Sequence, residues 1–421
     1  MKKSNLNLVH QDKINWYSVL QLTFSALAIV SLWILALVLV LVGIIAFFDS
    51  STSSANSASL FIIAASFTAI GMLLLPSAGF AFFRLSGRTI PGLPSWAHKF
   101  RPSLLIFLFP IVIFVGYLVS EYTDLAWLIL PILHVLAVGL PILWVLYMGV
   151  RNLPLGSPQR MWGVFGSGLV LGPGLIMFAE ILVLVLIIFI GIFFIANRPG
   201  LVEELTNLSQ WLITSNPTPE MVFERLSDYL INPIVLLVII TFGSIMVPLI
   251  EEAIKPIGVW LLWGRSLRGA AGFAAGAISG AGYALFESLS LTSSSQEWAI
   301  IVVARAATAV IHILTTALMG RALVLAWRKK KYSQLFFTYF GVVLIHGFWN
   351  GLTLFVAFTS IVDEQLLNID LPSYILALGR LAPVGLIFIT VGCFIALIMA
   401  HRSLSRSLSK RVSTGSLFEA A

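Results

Sequence analysis

Ten long apolar runs constrain the fold of this 421-residue chain more than any other feature. A helix needs about 20 residues to cross the hydrocarbon core of a bilayer. The runs lie near that length or exceed it, at residues 22–48, 58–83, 103–119, 125–148, 164–196, 233–263, 269–291, 299–326, 337–358 and 374–400. We therefore predict an all-α polytopic membrane protein with about ten transmembrane helices. The runs at 164–196 and 233–263 are long enough to be tilted, kinked or extended beyond the membrane.

Composition supports this class and excludes a water-soluble globular domain. Hydrophobic residues make up 59% of the chain and charged residues only 10%, whereas soluble domains average about 25% charged residues. The first run is too long for the apolar region of a signal peptide and lacks a small-residue cleavage site, so we expect it to remain as an anchor. The single cysteine, Cys393, excludes an internal disulfide and a thiolate metal cluster.

The distribution of Lys and Arg predicts the orientation. Basic residues collect before the first run and after the second, fourth, sixth, eighth and tenth runs, whereas the opposite connections carry only Arg198 and Arg225. Short cytoplasmic loops are enriched in Lys and Arg, so both termini are predicted to be cytoplasmic. The net charge of +7 then reflects topology and attraction to anionic lipid, and it does not favour a nucleic-acid partner.

Polar residues divide the chain unevenly. We predict an N-terminal five-helix membrane region at 1–196 and an extracytoplasmic loop at 197–232. A helix bundle follows at 233–358, and residues 359–421 form an outer loop, the last transmembrane helix and a basic cytoplasmic tail. The third region holds several clusters of ionisable residues inside apolar runs. Isolated polar residues in the other runs are predicted to be structural: Glu180, His134 and Arg380.

The first polar cluster is Glu251-Glu252-Ala253-Ile254-Lys255. On a helix, Glu251 and Lys255 share a face at the i,i+4 spacing, and Glu252 reaches Lys255 at the i,i+3 spacing. The lysine can keep a carboxylate ionised and available as a general base. Pro248 and Pro256 flank the cluster, and we expect them to bend or open this helix.

The next run carries glycines at positions 272, 276 and 280, a small-residue stripe that lets another helix approach closely. Tyr283 and Glu287 continue that face, so packing should bring Glu287 against a partner helix. The following run places Arg305 and His312 near one face, and the next pairs His346 with Asn350 one turn later. An amide at that spacing orients the ring or stabilises an oxyanion.

Ionisable groups inside a bilayer are costly, which favours a functional site. We expect these four runs to surround one buried hydrophilic chamber, suited to activating water for hydrolysis. A proton- or ion-coupled transporter also uses buried Glu, His and Lys, but the first half of the chain has no counterpart of these clusters. A catalytically silent scaffold, held together by polar contacts between helices, is the other alternative.

Four segments in this order resemble the PrsW family of intramembrane proteases, which is related to the CAAX-prenyl proteases and their bacterial immunity relatives. They are Glu-Glu-x-x-Lys at 251–255, the aromatic segment ending at Glu287, the helix bearing His312, and His-Gly-x-Trp-Asn at 346–350. The resemblance covers about residues 233–358. It implies an intramembrane endopeptidase, in a bacterial plasma membrane, that cuts single-pass or membrane-associated protein substrates.

The resemblance also implies roles for individual residues. Glu251 or Glu252 would act as general base for water, and Asn350 would assist the oxyanion. Glu287 would occupy the family's third acidic position. The supporting residues would be Lys255, Tyr283 and Trp349.

His312 and His346 would shape the reaction centre or bind a metal. Zn²⁺ held by His312, His346 and Glu287 is one prediction, since imidazole and carboxylate are suitable ligands. The spacing is not a His-Glu-x-x-His signature, and a metal-free glutamate mechanism fits the same residues. We expect no organic cofactor.

Overall fold

The computed structural model describes residues 15–48, 54–88, 102–122, 124–218, 221–222, 225–226, 229, 232–291, 297–363 and 373–413. Within these ranges the regular structure is helical throughout. Ten segments are long and apolar enough to cross a membrane, which confirms the predicted class and number. They are Trp16–Phe48, Ser57–Leu85, Pro102–Tyr122, Ala126–Val150, Pro158–Ala196, Pro233–Trp260, Gly269–Ser290, Glu297–Lys329, Tyr332–Ser360 and Leu376–Lys410.

We number the helices in chain order. The N-terminal part contains α1 Trp16–Phe48, α2 Ser54–Leu85, α3 Leu108–Tyr122, α4 Ala126–Val150, α5 Pro158–Gly166, α6 Gly172–Ala196 and α7 Pro199–Thr214. The remainder contains α8 Pro233–Thr241, α9 Val247–Ile254, α10 Ile257–Trp260, α11 Gly269–Ser290, α12 Glu297–Lys329, α13 Tyr332–Asp363 and α14 Ser373–Ser413.

The two longest apolar runs are both interrupted by a π-helical turn. Ser167–Leu171 joins α5 to α6, and Phe242–Met246 joins α8 to α9. A proline follows each turn, at Pro173 and at Pro248. Because proline removes a backbone donor, the helix adjusts its hydrogen bonds there and widens locally. The break between α9 and α10 falls at Pro256, so both prolines flanking the Glu-Glu-x-x-Lys segment interrupt regular helix as predicted.

Helix α11 lies at the centre of the bundle because its glycines allow neighbours on two faces. A Cβ atom at Gly272 would lie 2.6 Å from the Gly320 carbonyl oxygen, and one at Gly280 would lie 2.6 Å from the His312 carbonyl oxygen. The predicted stripe therefore packs directly on the backbone of α12. On another face, a Cβ atom at Gly282 would lie 2.6 Å from the Phe165 carbonyl oxygen of α5. The register of α11 is thus set by contacts that no larger residue permits.

Burial falls from the centre outwards, as expected for a bundle surrounded by lipid. Most of α11 is buried, whereas α1 and α6 expose large apolar side chains such as Phe48 and Phe193. Outward-facing apolar side chains are the normal contact with acyl chains. Polar residues of α9, α11, α12 and α13 therefore face one another rather than the membrane.

Candidate active site

The ammonium group of Lys255 is the centre of the site. Its side chain is fully buried, and Nζ lies 2.7 Å from Glu251 Oε2 and 2.9 Å from Glu252 Oε1. The Nδ1 atoms of His312 and His346 lie 2.8 Å and 3.3 Å away. Helices α9, α12 and α13 thus meet at one cation. A buried ammonium is tolerated because its partners supply opposite charge and hydrogen-bond acceptors.

Counting donors assigns the protons on the two imidazoles. An ammonium has only three N–H donors, and Glu251, Glu252 and His312 Nδ1 are its three shortest partners. His312 therefore carries its proton on Nε2, which donates to Glu287 Oε2 at 2.6 Å. His346 Nδ1 lies 3.0 Å from Glu252 Oε1, so it donates its proton to that carboxylate. In this assignment each imidazole donates one proton to a carboxylate, whereas Glu252 Oε2 is left without a hydrogen-bond partner among the described residues.

The assignment leaves two acceptors facing each other. His346 Nε2 carries a lone pair, and Glu251 Oε2 lies 3.8 Å from it. That separation is too long for a direct hydrogen bond. Two acceptors that share the protons of one water lie about 4–5 Å apart, so a small outward shift of either side chain would admit one water molecule. Both side chains are buried, with Glu251 6% and His346 2% exposed, so a water held there would be shielded from bulk solvent.

Behind His312 lies a second group of charges. Arg305 Nη2 contacts Glu287 Oε2 at 2.7 Å, and its Nε donates to Ser288 Oγ at 3.3 Å. The same Glu287 oxygen accepts from His312, so arginine, carboxylate and imidazole form a chain that fixes the ring orientation. Arg305 was placed on the His312 face from sequence but was not predicted as a site residue. The sequence feature that could have identified Arg305 is its position two turns before His312 on the same helix face.

Tyr283 covers one side of the cluster with aromatic surface. The Tyr283 ring lies edge-on to His312, with centroids 5.1 Å apart, and Lys255 Nζ lies 4.8 Å from the Tyr283 centroid. Trp349 is buried in the hydrophobic core. Tyr283 therefore excludes water from around the charges, and the cation–π contact adds to the stabilisation of the ammonium.

Asn350 makes a contact that the sequence did not predict. Its Nδ2 donates to the Gly243 carbonyl oxygen at 2.9 Å. Gly243 belongs to the π-helical turn before α9, and Gly347 lies so close to the Ser244 carbonyl that a Cβ would clash. The His-Gly-x-Trp-Asn segment thus attaches α13 to the π turn and thereby positions His346 opposite Glu251. The predicted oxyanion role of Asn350 stays a prediction.

Glu180 lies beside the site, although the sequence favoured a structural role for it. Helix α6 packs against α9 and α11, and Glu180 lies within electrostatic range of Glu251, Glu287 and Lys255. Its Oε1 atom is buried and has no hydrogen-bond partner among the described residues. The sequence does not indicate this position, because the apolar run that contains Glu180 carries no other charged residue. It also lies outside the four runs that contain the polar clusters.

The donor groups around Lys255 suit a divalent metal ion, and the predicted ligand set of His312, His346 and Glu287 stays a prediction. Ligand atoms of Glu251, His312 and His346 lie within 4.8 Å of one another. One carboxylate and two imidazoles form a typical catalytic zinc donor set. The grouped carboxylate is Glu251 and not Glu287, because Glu287 lies behind His312 on the Nε2 side. Glu287 there resembles the carboxylates that orient metal-bound histidines. Lys255 Nζ contacts all three candidate ligands, so a metal fits only if this ammonium moves.

Comparisons with known proteins are consistent with this geometry. Residues 211–377 match the model of the PrsW family, described as intramembrane metalloproteases. Neither the curated proteins nor the solved structures contain a match to the chain. The matched range includes every residue of the cluster from Glu251 to Asn350 but not Glu180. Residues 211–377 of this multi-pass membrane protein are therefore similar to the PrsW family of intramembrane metalloproteases.

Proposed function

We propose that this protein hydrolyses peptide bonds of membrane-associated protein substrates with a water molecule activated by Glu251. One observation carries the proposal: Glu251 Oε2 and His346 Nε2 are two buried acceptors 3.8 Å apart with no proton assigned between them. A water between them would donate one proton to each acceptor and direct an oxygen lone pair outwards. Such a water is oriented for attack on a carbonyl carbon.

The reaction follows from the hydrogen bonds around Glu251. The carboxylate accepts a proton from water as the oxygen attacks the scissile carbonyl carbon. Protonation of Glu251 weakens its ion pair with Lys255 and frees an N–H donor of the ammonium for the developing oxyanion. When the C–N bond breaks, Glu251 returns the proton to the leaving amine. Atoms and charge then balance, and the carboxylate is regenerated.

The two neighbouring acids have different proposed roles. Glu252 is fully buried, and its Oε1 contacts both Lys255 and His346. It therefore acts as a positioning residue that fixes the proton on His346 Nδ1 and leaves Nε2 available. Glu251 is the catalytic base because its oxygen faces that free lone pair. Glu287 and Arg305 position His312 in the same way.

We further propose that Zn²⁺ is the metal used if the site binds one, with Glu251, His312 and His346 as its ligands. A bound divalent cation would supply Lewis-acid polarisation of the carbonyl and a more acidic water. Glu251 would then serve as a ligand rather than as the general base, while the positioning roles would stay the same: Glu287 orients His312, Glu252 orients His346, and Tyr283 covers the cluster. Metal content of the purified protein, measured after mild chelation, tests this assignment apart from activity.

The test of the function uses purified full-length protein in liposomes with a fluorescent single-span peptide. Membrane proteomes from cells with and without the protein identify candidate substrates as species that accumulate uncut. Glu251→Gln, His312→Ala and His346→Ala should each lower the cleavage rate by about 10² or more. Glu203→Gln, an exposed acid on α7, is the matched control and should be unchanged. If these liposomes instead transport protons or ions and no candidate peptide is cut, the protein is a transporter.

We also propose the orientation in which both termini are cytoplasmic, in a bacterial plasma membrane. The support is the concentration of Lys and Arg on alternate connections. Accessibility of single cysteines introduced on α7 and at the end of α12, in a Cys393→Ala background, tests it. Labelling of the α12 position from outside intact cells would reverse the orientation.

A further inference from the structure

A cavity of about 320 Å³ lies between the start of α11, the end of α12 and α14. Its volume is within the range of small-molecule sites in proteins. Four cationic side chains line it, and the remaining wall is mostly apolar, with Leu325, Leu404 and Leu408 among its members. The cationic residues are Arg268, Arg321, Arg328 and Lys329. The cavity is separate from the Lys255 cluster and shares no residue with it.

The positive charge of this cavity has no acidic counterpart among the residues that the structure describes. Within the described ranges no acidic residue lines it, and none of the four cations forms an ion pair with a carboxylate. Like charges at this density repel one another. An arrangement of this kind is stable when an anion from outside the chain supplies the compensation.

The start of α11 adds donors on the same side. Arg268 precedes the helix and does not cap it through its side chain, and Gly269 and Ala270 line the cavity. Amide groups in a first helical turn have no partner within the helix. A phosphate is suited to such donors when arginines lie beside them.

The position of Arg321, deeper in the membrane than the other cations of α12, favours a lipid over a soluble anion as the ligand. Arg321 lies on α12 about 12 Å before Lys329 along the helix axis, and it is half-buried, whereas Arg328 and Lys329 are exposed. Cations therefore line the cavity from its rim towards the membrane interior, next to leucines of α12 and α14. Basic pockets between transmembrane helices bind anionic headgroups.

We propose that this cavity binds the phosphate of an anionic phospholipid, with an acyl chain along Leu404 and Leu408. Phosphatidylglycerol is the probe of choice because it carries one phosphodiester and no cation. The bound lipid holds α14, which lies mostly outside the family match, against α11 and α12. Those two helices carry Glu287 and His312, so the lipid stabilises the scaffold of the site without touching it.

The test is lipid binding to the full-length protein in detergent, measured by native mass spectrometry during titration with phosphatidylglycerol or phosphatidylcholine. We expect selective retention of phosphatidylglycerol and about fivefold weaker binding for Arg321→Gln, from the typical contribution of one basic residue. Arg402→Gln is the matched control, since Arg402 is exposed on α14 and does not line the cavity. Its affinity should equal that of the wild type.

A second variant covers the case in which Arg321→Gln does not fold. Arg328→Gln changes an exposed residue at the rim and should also weaken phosphatidylglycerol binding severalfold. Equal losses for Arg402→Gln and the cavity variants would overturn the proposal, because the effect would then be one of general surface charge. Displacement of the lipid by millimolar inorganic phosphate would also overturn it, in favour of a soluble-anion site.

Discussion

Charge is gathered in two places in this molecule, and the two are built in opposite ways. Around Lys255, one ammonium is compensated by two carboxylates and by the His312 imidazole as acceptor, and Lys255 and Glu252 are fully buried. In the cavity between α11, α12 and α14, four cations share one space, and the described part of its lining contains no acid. The comparison indicates that charge deep in the bundle must be balanced by the fold itself. Charge at the bundle edge can rely on the membrane for its counterion.

Removing the Lys255 cation from the central cluster should have the largest effect on stability. In Lys255→Met, Glu251 and Glu252 lose their shared cation and are left as uncompensated buried acids. We expect a loss of about 3–5 kcal/mol in the free energy of unfolding, together with loss of cleavage. Thermal unfolding in detergent measures the first and the peptide assay the second. Lys410→Met, an exposed residue on α14, is the control, and equal stability of the two variants would contradict the comparison.

A substitution that separates α11 from α12 should have the next largest effect on stability, because the close approach of these helices assembles the central cluster. Gly280→Ala adds a methyl group 2.6 Å from the His312 carbonyl oxygen. The helices must separate, so we expect a loss of about 1–3 kcal/mol in stability. Gly191→Ala on α6 is the matched control because a Cβ atom there meets nothing within 4 Å. That control should be neutral or slightly stabilising, by up to about 1 kcal/mol.

Much of this fold was predictable because its determinants are local. Run length gave the ten spans, and helical spacing correctly paired Glu251 and Glu252 with Lys255. The glycine stripe predicted close packing of α11. Contacts between helices were harder, since they depend on the register with which two helices meet. The sequence therefore grouped Glu287 with the histidines as a metal ligand, whereas the structure groups Glu251.

Two further features lay beyond sequence reasoning for physical reasons. The π turn at Phe242–Met246 exposes the Gly243 carbonyl to Asn350, and this contact exists only after α13 has packed. Arg305 becomes part of the site only through Glu287, which lies on another helix. In both cases the partner residue belongs to a different element, and no spacing within one helix predicts the contact.

Substitution of Arg305 should have a smaller effect, which falls on activity rather than on stability. Arg305→Gln removes the cation that holds Glu287 against His312, so cleavage should fall by about tenfold, as for outer residues of other sites. The protein should stay folded because Arg305 is only partly buried. Arg305→Lys should restore part of the rate by restoring the charge. A purely structural arginine would instead lower stability and activity together, and lysine would not rescue either selectively.

Glu180→Gln has the smallest expected effect, and its sign is informative. The carboxyl of Glu180 has a buried oxygen without a hydrogen-bond partner among the described residues, within electrostatic range of Glu251 and Glu287. An amide of the same shape removes any charge from this position and reduces repulsion from the two acids. We expect the free energy of unfolding to rise by up to about 1 kcal/mol, with Glu203→Gln unchanged. The structural role favoured by the sequence predicts the opposite, because loss of an interhelical hydrogen bond lowers stability. If Glu180→Gln lowers the free energy of unfolding, Glu180 has a structural role outside the site. The charge of Lys255 is then balanced by Glu251 and Glu252 without a contribution from Glu180.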